Sequence, residues 1–519
     1  MFGKHLLLEK KADYFRHMKL VLTIFSLPLF LVLVSYIFFN LESIAFNYDN
    51  NLQTFNVHEN DGDKLAFWDF SGVSSPWFLG DWMWWRIGCN NDCEEPPKLL
   101  EDITEDNSAE VTPIPSFDLD SYIFSTDDPE KINFRIEDDL IESLVEGGKG
   151  LVVENPHYKI SVPYRTLREL DTANDGYKVL VGHVEETEEK DDIIAQMLLN
   201  DSYVKRSGNI YKFTLFSIEE GDSVYYYDII EEFITPITIK LKNVKDMDGM
   251  AFNNFERTGV FYLVPEYDED GDLISVDSKF SGNAQLREDV IFTTDHFSFF
   301  VVKERDGIVF ADQADVDTSY ARDAIQKLSA LKILRGNMNG DFKPAEQMQR
   351  THFAIALNNT LGKIDASYEA DLYEDIDSDD YFAGPIARLN VNRIPDTFGK
   401  DSFGVYINDD PNQGRRNITR QEAAVFMANS YDYSSRFMQN LRTINPASIN
   451  YNDLYLVTGR QEHEAISIVT QIRLMQGWFE NGNRVFVPNS VLTREQCASI
   501  LSNFLDLYNR GLTFDVNVN

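Results

Sequence analysis

The sequence predicts a multidomain α+β protein with a membrane-spanning helix, then an antiparallel β-sandwich, then a set of helical repeats. Three observations indicate this fold class. Residues 20–39 carry no charged side chain, residues 130–305 contain short runs of alternating apolar and polar residues, and residues 306–519 repeat a helix-loop-helix pattern. A chain of 519 residues is also long enough to hold more than one domain.

Composition limits the classes of partner. The formal net charge is −38, from 85 acidic and 47 basic residues. A nucleic-acid binder needs a basic face to meet phosphates, so we expect no nucleic-acid partner. The hydrophobic fraction of 43% is enough to form packed cores, which argues against global disorder. The three cysteines, two of them Cys89 and Cys93, fit an exported protein that does not depend on disulfides and are also compatible with a cytosolic one.

Residues 20–39 are uncharged, mostly apolar and long enough to cross a bilayer as a helix. Basic side chains precede this segment in residues 1–19 and none follows it directly, which predicts an N-terminus inside and the bulk of the chain outside. The alternative is a cleaved signal peptide, although its apolar core would be shorter and no small-x-small cleavage site is evident. Both interpretations export the chain, and the first adds the lipid bilayer as a partner.

Residues 40–91 are rich in aromatic side chains and contain five of the six tryptophans. Such rings favour the headgroup level of a membrane or stack on a glycan or partner. Aromatics at near-alternate spacing also pack as a small module or as a strand that completes the next domain. Residues 92–129 are acidic and contain prolines, which predicts an extended linker.

Residues 130–305 predict the sandwich. Runs with period-two alternation are separated by charged connectors and lie at 159–163, 211–216, 237–241, 260–264, 273–276 and 290–293. Asp268, Asp270 and Asp272 alternate superficially as in a calcium loop, but the glycine is misplaced and the distal glutamate is missing. A hairpin turn at Asp270 and Gly271 explains this stretch better. Calcium therefore has no specific motif, and no cofactor is expected.

The last two fifths of the chain contain an internal repeat. In the best copy an apolar segment stops at Gly477, a loop follows and ends at Pro488, and Thr493 opens a new helix with Arg494 in its first turn. An earlier copy has Gly336 in the corresponding loop, and a looser copy lies between the two. The corresponding arginines of the three copies are Arg350, Arg420 and Arg494.

This repeat resembles the S-layer homology domain of bacterial cell-surface proteins. The resemblance rests on an aromatic-x-Asp element, a glycine-containing loop that ends in an aromatic and a proline, and a Thr-Arg pair at the second helix, and it covers roughly residues 306–510. Copy two departs from the pattern where its loop is rebuilt around Pro395, and copy one has Gln349 in place of the capping threonine. The resemblance implies a three-pronged helical bundle that binds a secondary cell-wall polysaccharide, often one with pyruvylated sugars.

In this family the aligned arginines line grooves that hold the polymer. A guanidinium offers a planar fork to a pyruvate carboxylate, and free amides at a helix N-terminus also favour an anion. The alternative is that the arginines pair with acids of this chain, and that Trp478 packs in the core instead of stacking on a sugar. The candidate polymer-binding residues are Arg350, Arg420, Arg494, Gly336, Gly477 and Trp478, and Arg494 is the first to test because copy three lies nearest to the family pattern.

No catalytic residue is assigned, because no nucleophile-elbow, Walker or His-Glu-x-x-His motif occurs in the sequence. We expect a non-catalytic protein of the cell envelope that attaches to wall polysaccharide and, if residues 20–39 are retained, bridges membrane and wall. The alternatives are an S-layer lattice subunit that self-associates and a surface-displayed hydrolase anchored by the repeats.

These patterns also predict the domain order. The expected segments are a basic tail at 1–19, an anchor at 20–39, the aromatic-rich segment at 40–91, the linker at 92–129, the sandwich at 130–305 and three repeats at 306–366, 367–445 and 446–519.

Overall fold

The computed structural model describes residues 55–58, 121–126, 133–170, 176–184, 188–220, 224–230, 232–268, 273–286, 288–366, 372–397, 399–438, 441–457 and 459–512. Within these ranges no helix combines the length and the apolar character needed to cross a bilayer. The predicted anchor at residues 20–39, the tryptophan run and the Cys89–Cys93 pair lie outside the described residues.

Two strands come from segments before the predicted sandwich. Strand β1 (Phe55–His58) pairs antiparallel with β8 (Val224–Ile229), so part of the aromatic-rich segment completes a sheet of the next domain. Strand β2 (Ser121–Ser125) pairs in parallel with β4 (Gly150–Glu154). The prediction of a linker over the whole of residues 92–129 is therefore wrong at its C-terminal end, where the backbone joins a sheet.

The described strands form two large sheets. Besides β1, β2, β4 and β8, the strands of these sheets are β3 (Asn133–Glu137), β5 (Tyr158–Val162), β6 (Gly176–Val184), β7 (Val204–Glu220), β9 (Glu232–Leu241), β10 (Thr258–Tyr267), β11 (Leu273–Gly282), β12 (Ala284–Leu286), β13 (Asp289–His296) and β14 (Phe299–Arg305). The first sheet has the order β1-β8-β7-β14-β10-β11, with β3 attached to it through β6, and the second has the order β12-β13-β9-β5-β4-β2. All described pairs in both sheets are antiparallel except β2 with β4.

Aromatic side chains from both sheets fill the core between them. The ring of Tyr158 meets that of Phe213 edge-on at 5.1 Å, and Phe292 lies 5.0 Å from Phe300. Burial alternates along β5, as expected for a strand with one face in a core, but nearly every residue of β13 is buried. Strand β13 is covered on both faces because the C-terminal helices pack against it, as Tyr508 shows by its 2.5 Å hydrogen bond to Thr293.

Three helices interrupt the strands, so this part of the chain is mixed α/β with antiparallel sheets instead of the purely β domain that the sequence predicted. They are α1 (Asp138–Glu146), α2 (Tyr164–Leu170) and α3 (Glu188–Asn200). Helix α1 buries Ile141 and Leu144, which are one helical turn apart, and has two acids in its first turn. This spacing is typical of a helix. The prediction of a purely β domain relied on the neighbouring runs, in which apolar and polar residues alternate.

The C-terminal part consists of three units, here called unit one (residues 310–360), unit two (373–435) and unit three (451–512). A second helix begins at Arg350 in unit one, at Arg420 in unit two and at Arg494 in unit three. Unit three also contains a hairpin of β15 (Trp478–Glu480) and β16 (Asn483–Val485). The helices are α4 (Gln313–Thr318), α5 (Arg322–Ala330) and α6 (Arg350–Thr360) in unit one, α7 (Ala383–Val391) and α8 (Arg420–Ser435) in unit two, and α9 (Arg460–Gln471) and α10 (Arg494–Leu512) in unit three.

In each unit the helix before the loop, here called the first helix, ends in the same way. These helices are α5, α7 and α9. A non-glycine residue in the left-handed region follows each helix: Lys332, Arg393 and Arg473, with φ of 59°, 59° and 62°. The next amide then donates to a carbonyl five residues back, as from Ile333 to Leu328 at 2.8 Å. This hydrogen bond offsets the roughly 1–2 kcal/mol cost of the left-handed conformation and turns the chain into the loop.

The two sheets with α1, α2 and α3, here called the β module, are joined to the helical units by buried ion pairs. Asp295 of β13 lies 3.4 Å from Lys363 and 3.7 Å from Arg388, and Arg388 also pairs with Glu232. A second cluster surrounds Asp201, whose pairs with Arg305, Lys303 and Lys332 measure 2.8, 3.4 and 3.4 Å. Because charges removed from water need their partners, the helical units are not expected to be stable without the β module.

Candidate functional site

The segments before the three second helices meet in a closed ring of backbone hydrogen bonds. The amide of Met348 donates to Leu492 at 2.8 Å, Leu492 donates to Ile418 at 3.1 Å, and Ile418 donates back to Met348 at 2.9 Å. All three side chains are buried. The ring places the N-termini of α6, α8 and α10 around one approximate threefold axis.

The units also pack cyclically, since α6 contacts α7, α8 contacts α9 and α10 contacts α5. Each second helix therefore meets the first helix of the following unit, and unit three closes the ring on unit one. Every candidate arginine consequently lies where a helix of one unit meets a loop of the next. We call these places the Arg350, Arg420 and Arg494 junctions.

At each junction the guanidinium lies over a phenylalanine of the next loop and its Nε–H donates to that residue's carbonyl. The hydrogen bonds measure 2.8, 2.8 and 2.6 Å, and the distances from Cζ to the ring centroid are 4.8, 4.8 and 4.6 Å. This stacking uses the planar shape of arginine, which lysine lacks. The three pairs are Arg350 with Phe403, Arg420 with Phe486 and Arg494 with Phe342.

An aspartate holds each of these loops in place by accepting hydrogen bonds from its backbone amides. The first bond of each set runs from Phe342 to Asp312 at 2.7 Å, from Phe403 to Asp375 at 2.7 Å and from Phe486 to Asp453 at 2.9 Å. Asp375 accepts from three successive amides of its loop, those of residues 403–405. The described residues contain no group of three or more His, Cys, Asp or Glu side chains suited to a metal ion.

The amide of each arginine is already used. Arg350 donates to the carbonyl of Arg416 at 3.0 Å, Arg420 to Ser490 at 2.9 Å and Arg494 to Glu346 at 2.8 Å. The arginines' own amides are therefore not available to an anion, because carbonyls of the segments between units accept from them.

The Arg350 junction is closed. Its guanidinium is fully buried and both Nη atoms contact Asp396, with Nη1 to Oδ2 at 3.4 Å. Nη1 also lies 3.5 Å from Glu422, which pairs in turn with Arg416. The alternative considered from the sequence, that an aligned arginine pairs with acids of the chain, holds for Arg350.

The Arg420 junction has exposed aromatic side chains, and Arg484 donates to its Gln476 side chain at 3.4 Å. Arg420 is 7% exposed, and its Nη2 donates to the carbonyl of Gln476 at 3.1 Å. Burial lowers the pKa of this guanidinium from its ordinary value. Trp478 lies 5.1 Å from Cζ and is 43% exposed, so the ring borders the junction at the surface and is not core.

The Arg494 junction has the most exposed arginine of the three. Arg494 is partly exposed, its Nη2 donates to the carbonyl of Arg335 at 2.8 Å, and burial lowers its pKa. Burial, together with the charges of Arg494 and Arg415, also lowers the pKa of nearby His352. The Nε2 atom of His352 lies 2.7 Å from the Tyr381 hydroxyl, which accepts a hydrogen bond from Arg415 at 2.7 Å.

The two candidate glycines have structural reasons to be glycine. A Cβ atom on Gly477 would lie 2.2 Å from the carbonyl oxygen of Val485 and 2.3 Å from the ring of Tyr451. On Gly336 it would lie 3.1 Å from the carbonyl oxygen of Asp341. Close backbone approach within the loops explains both residues, and ligand contact by either stays a prediction.

The sequence reasoning did not find Asp396 or the group around His352. Asp396 follows the left-handed residue of its unit at the same offset as Arg335 and Gln476 do in theirs. When the loops are aligned on the ends of the first helices, and not on their glycines, only unit two has an acid at this position. No sequence signal links His352 to Tyr381, because the two residues belong to different units.

Comparison with known proteins agrees with this geometry. Residues 309–354 match the family model of the S-layer homology domain. Unit one contains an S-layer homology domain. Domains of this family in general bind cell-wall polysaccharide.

Three curated relatives are similar over part of their length. They are a surface-layer 125 kDa protein of Lysinibacillus sphaericus at 23% identity over 36% of this chain, an amylopullulanase of Thermoanaerobacterium thermosulfurigenes at 22% over 42%, and exoglucanase XynX of Acetivibrio thermocellus at 21% over 38%. The matched regions cover only 14%, 10% and 16% of those proteins. The relatives thus include both a surface-layer protein and enzymes.

Proposed function

We propose that all three units belong to the S-layer homology type and that they bind a pyruvylated secondary cell-wall polysaccharide through Arg420 and Arg494. One observation carries this proposal: the Nη1 atoms of these two arginines have no hydrogen-bond partner among the described residues. No described carboxylate lies within ion-pairing distance of either guanidinium. Each junction therefore offers a charged donor that a ligand carboxylate would satisfy.

The surroundings of the two arginines suit a charged sugar. Trp478 presents an exposed ring next to Arg420, and a flat apolar face can stack on a pyranose ring. Arg415 adds positive charge near His352 and Arg494, where Glu346 and Asp312 are the opposing acids. A carboxylate-bearing polymer would gain from both settings despite the net charge of −38.

In this proposal the protein is a non-catalytic envelope tether. The surface-layer relative and the family match support wall attachment, while the enzyme names among the relatives keep a surface-displayed hydrolase as the alternative. A lattice subunit is the other alternative and would require self-association. If residues 20–39 are retained as an anchor, the chain would bridge the membrane and the wall.

Sedimentation of the full chain with isolated cell walls tests the binding mechanism. We expect R420Q and R494Q each to weaken co-sedimentation and the double variant to abolish it, and walls stripped of the secondary polymer to bind none of the proteins. R460Q is the matched control because Arg460 has a side chain that is 91% exposed and lies on α9. Full retention of the double variant would overturn the proposed mechanism.

The bridging part of the proposal has its own test. The protein is extracted from purified membranes and its first residue is determined by N-terminal sequencing. A retained segment 20–39 supports the bridge. A mature chain that begins after residue 39 overturns the bridge and leaves wall attachment intact.

A further inference from the structure

The three junctions share one backbone arrangement but differ in charge at two aligned positions. The first position lies in the loop, three residues after the left-handed residue. The second is the third residue of the second helix. The Arg350 junction has Asp396 and Glu422 at these positions, the Arg420 junction has Gln476 and Gln496, and the Arg494 junction has Arg335 and His352.

Asp396 faces both Nη atoms of Arg350, which are the atoms that a ligand carboxylate would use. The side chain of Asp396 is 15% exposed, that of Glu422 is 14% exposed, and that of Arg350 is not exposed. With Arg416 paired to Glu422, two guanidinium groups face two carboxylates and the junction carries no net charge. Nothing remains there to attract an anion.

We infer that Asp396 is a built-in carboxylate that takes the place of the ligand at Arg350, so that only the Arg420 and Arg494 junctions bind polymer. This inference rests on the proposed function. A ligand entering the Arg350 junction would have to displace Asp396 and leave a largely buried acid without its partner. At the other two junctions it would meet an Nη1 atom that has no partner among the described residues.

Exchanging the residues at the loop position tests the inference in both directions. D396Q places in unit two the residue that unit three has at this position, which should open the Arg350 junction. Q476D places an acid on the residue whose carbonyl accepts from Arg420 and whose side chain accepts from Arg484, which should neutralise and close that junction. Gln476 is exposed, so the fold should tolerate the change. D379N is the control because Asp379 is an exposed acid of unit two and the change removes the same charge as D396Q.

The readout is the number of sites for a radiolabelled monosaccharide that carries a pyruvate acetal, measured by equilibrium dialysis with the full chain in detergent. We expect two sites in the wild type and in D379N, three in D396Q and one in Q476D. Three sites in the wild type, or an unchanged count in Q476D, would overturn the inference. Absence of binding in the wild type would instead overturn the proposed function on which the inference rests.

Discussion

Lys363, which follows α6, lies with its Nζ atom 3.4 Å from the carboxylate of Asp295 in β13, and both side chains are buried. Arg388 of α7 lies 3.7 Å from the same carboxylate. Burial raises the pKa of Asp295, but the charges of Lys363 and Arg388 and a hydrogen bond from His296 outweigh it and hold the pKa below its usual value. One acid of the β module therefore holds two cations of the helical units, and the two parts should unfold together.

Replacing Asp295 by asparagine should strongly destabilise the chain. The change leaves two buried cations facing a neutral amide, and breaking a buried pair in this way typically costs about 3–5 kcal/mol. Urea denaturation followed by circular dichroism measures the loss in the free energy of unfolding. K279Q is the control, because Lys279 and Asp365 form an exposed pair that should contribute at most about 1 kcal/mol.

The same variant predicts a pH dependence. The pKa of Asp295 is lower in the folded state, so its contribution is fully present above the unfolded value of about 4 and is lost as the pH falls through the folded value. The difference in stability between the wild type and D295N should therefore shrink when the pH is lowered below about 4. A difference that stays constant across that range would show that the charge of Asp295 is not what stabilises the junction between the modules.

Replacing Trp478 by alanine should weaken wall binding without unfolding the chain. The ring is 43% exposed, so little packing is lost, whereas a stacked aromatic contributes about 0.5–1.5 kcal/mol beyond its buried area, or roughly a two- to tenfold change in affinity. The measurement is the wall concentration at half-maximal co-sedimentation. F479A is the matched control, since Phe479 is 76% exposed and the alternation of a strand turns it away from Trp478.

Replacing Arg494 by lysine separates charge from shape. Lysine keeps the positive charge but cannot hold the carbonyls of Phe342 and Arg335 with one planar group while stacking on the Phe342 ring. We expect R494K to bind walls more weakly than the wild type and more strongly than R494Q, with the difference between R494K and R494Q shrinking at high salt. Equal binding by R494K and R494Q at low salt would mean that the charge at this position does not matter.

The sequence predicted the three second helices because their arginines, caps and loop residues are local signals. It also located the main strands, since every run of alternating residues lies inside a described strand except for Pro163, which follows the end of β5. It did not predict α1, α2 and α3, because their short apolar stripes lie between runs that have the strand period. Strand β2 was missed for a different reason, since its pairing partner is supplied by residues further along the chain.

At the candidate site, the sequence identified which arginines matter but not which of them are available. Availability depends on contacts between units, such as the pairing of Arg350 in a helix of unit one with Asp396 in the loop of unit two. The closed hydrogen-bond ring through Met348, Ile418 and Leu492 is likewise a property of the assembled units. The repeat pattern in the sequence gives the position of each arginine. The charged groups around that arginine are supplied by the following unit.

Protonation of His352 should couple wall binding to pH. Its pKa lies below the ordinary value of about 6.5, so the imidazole is neutral at pH 7 and gains a charge beside Arg494 as the pH falls. Arg415 and Arg494 oppose this protonation, Glu346 favours it, and the Tyr381 hydroxyl can donate to the neutral ring. An anionic ligand would favour the protonated form, so we expect affinity for walls to rise a few-fold between pH 7 and pH 5 while the ligand carboxylates stay ionised.

Stability should change in the opposite direction. Because the folded pKa of His352 is lowered, the unfolded chain binds the proton more readily, and the free energy of unfolding falls as the pH drops below about 6.5. In H352Q both trends should flatten, and E142Q, which removes an exposed acid of α1, should keep them. A rise in affinity at pH 5 that persists unchanged in H352Q would assign the pH dependence to the wall and not to this residue.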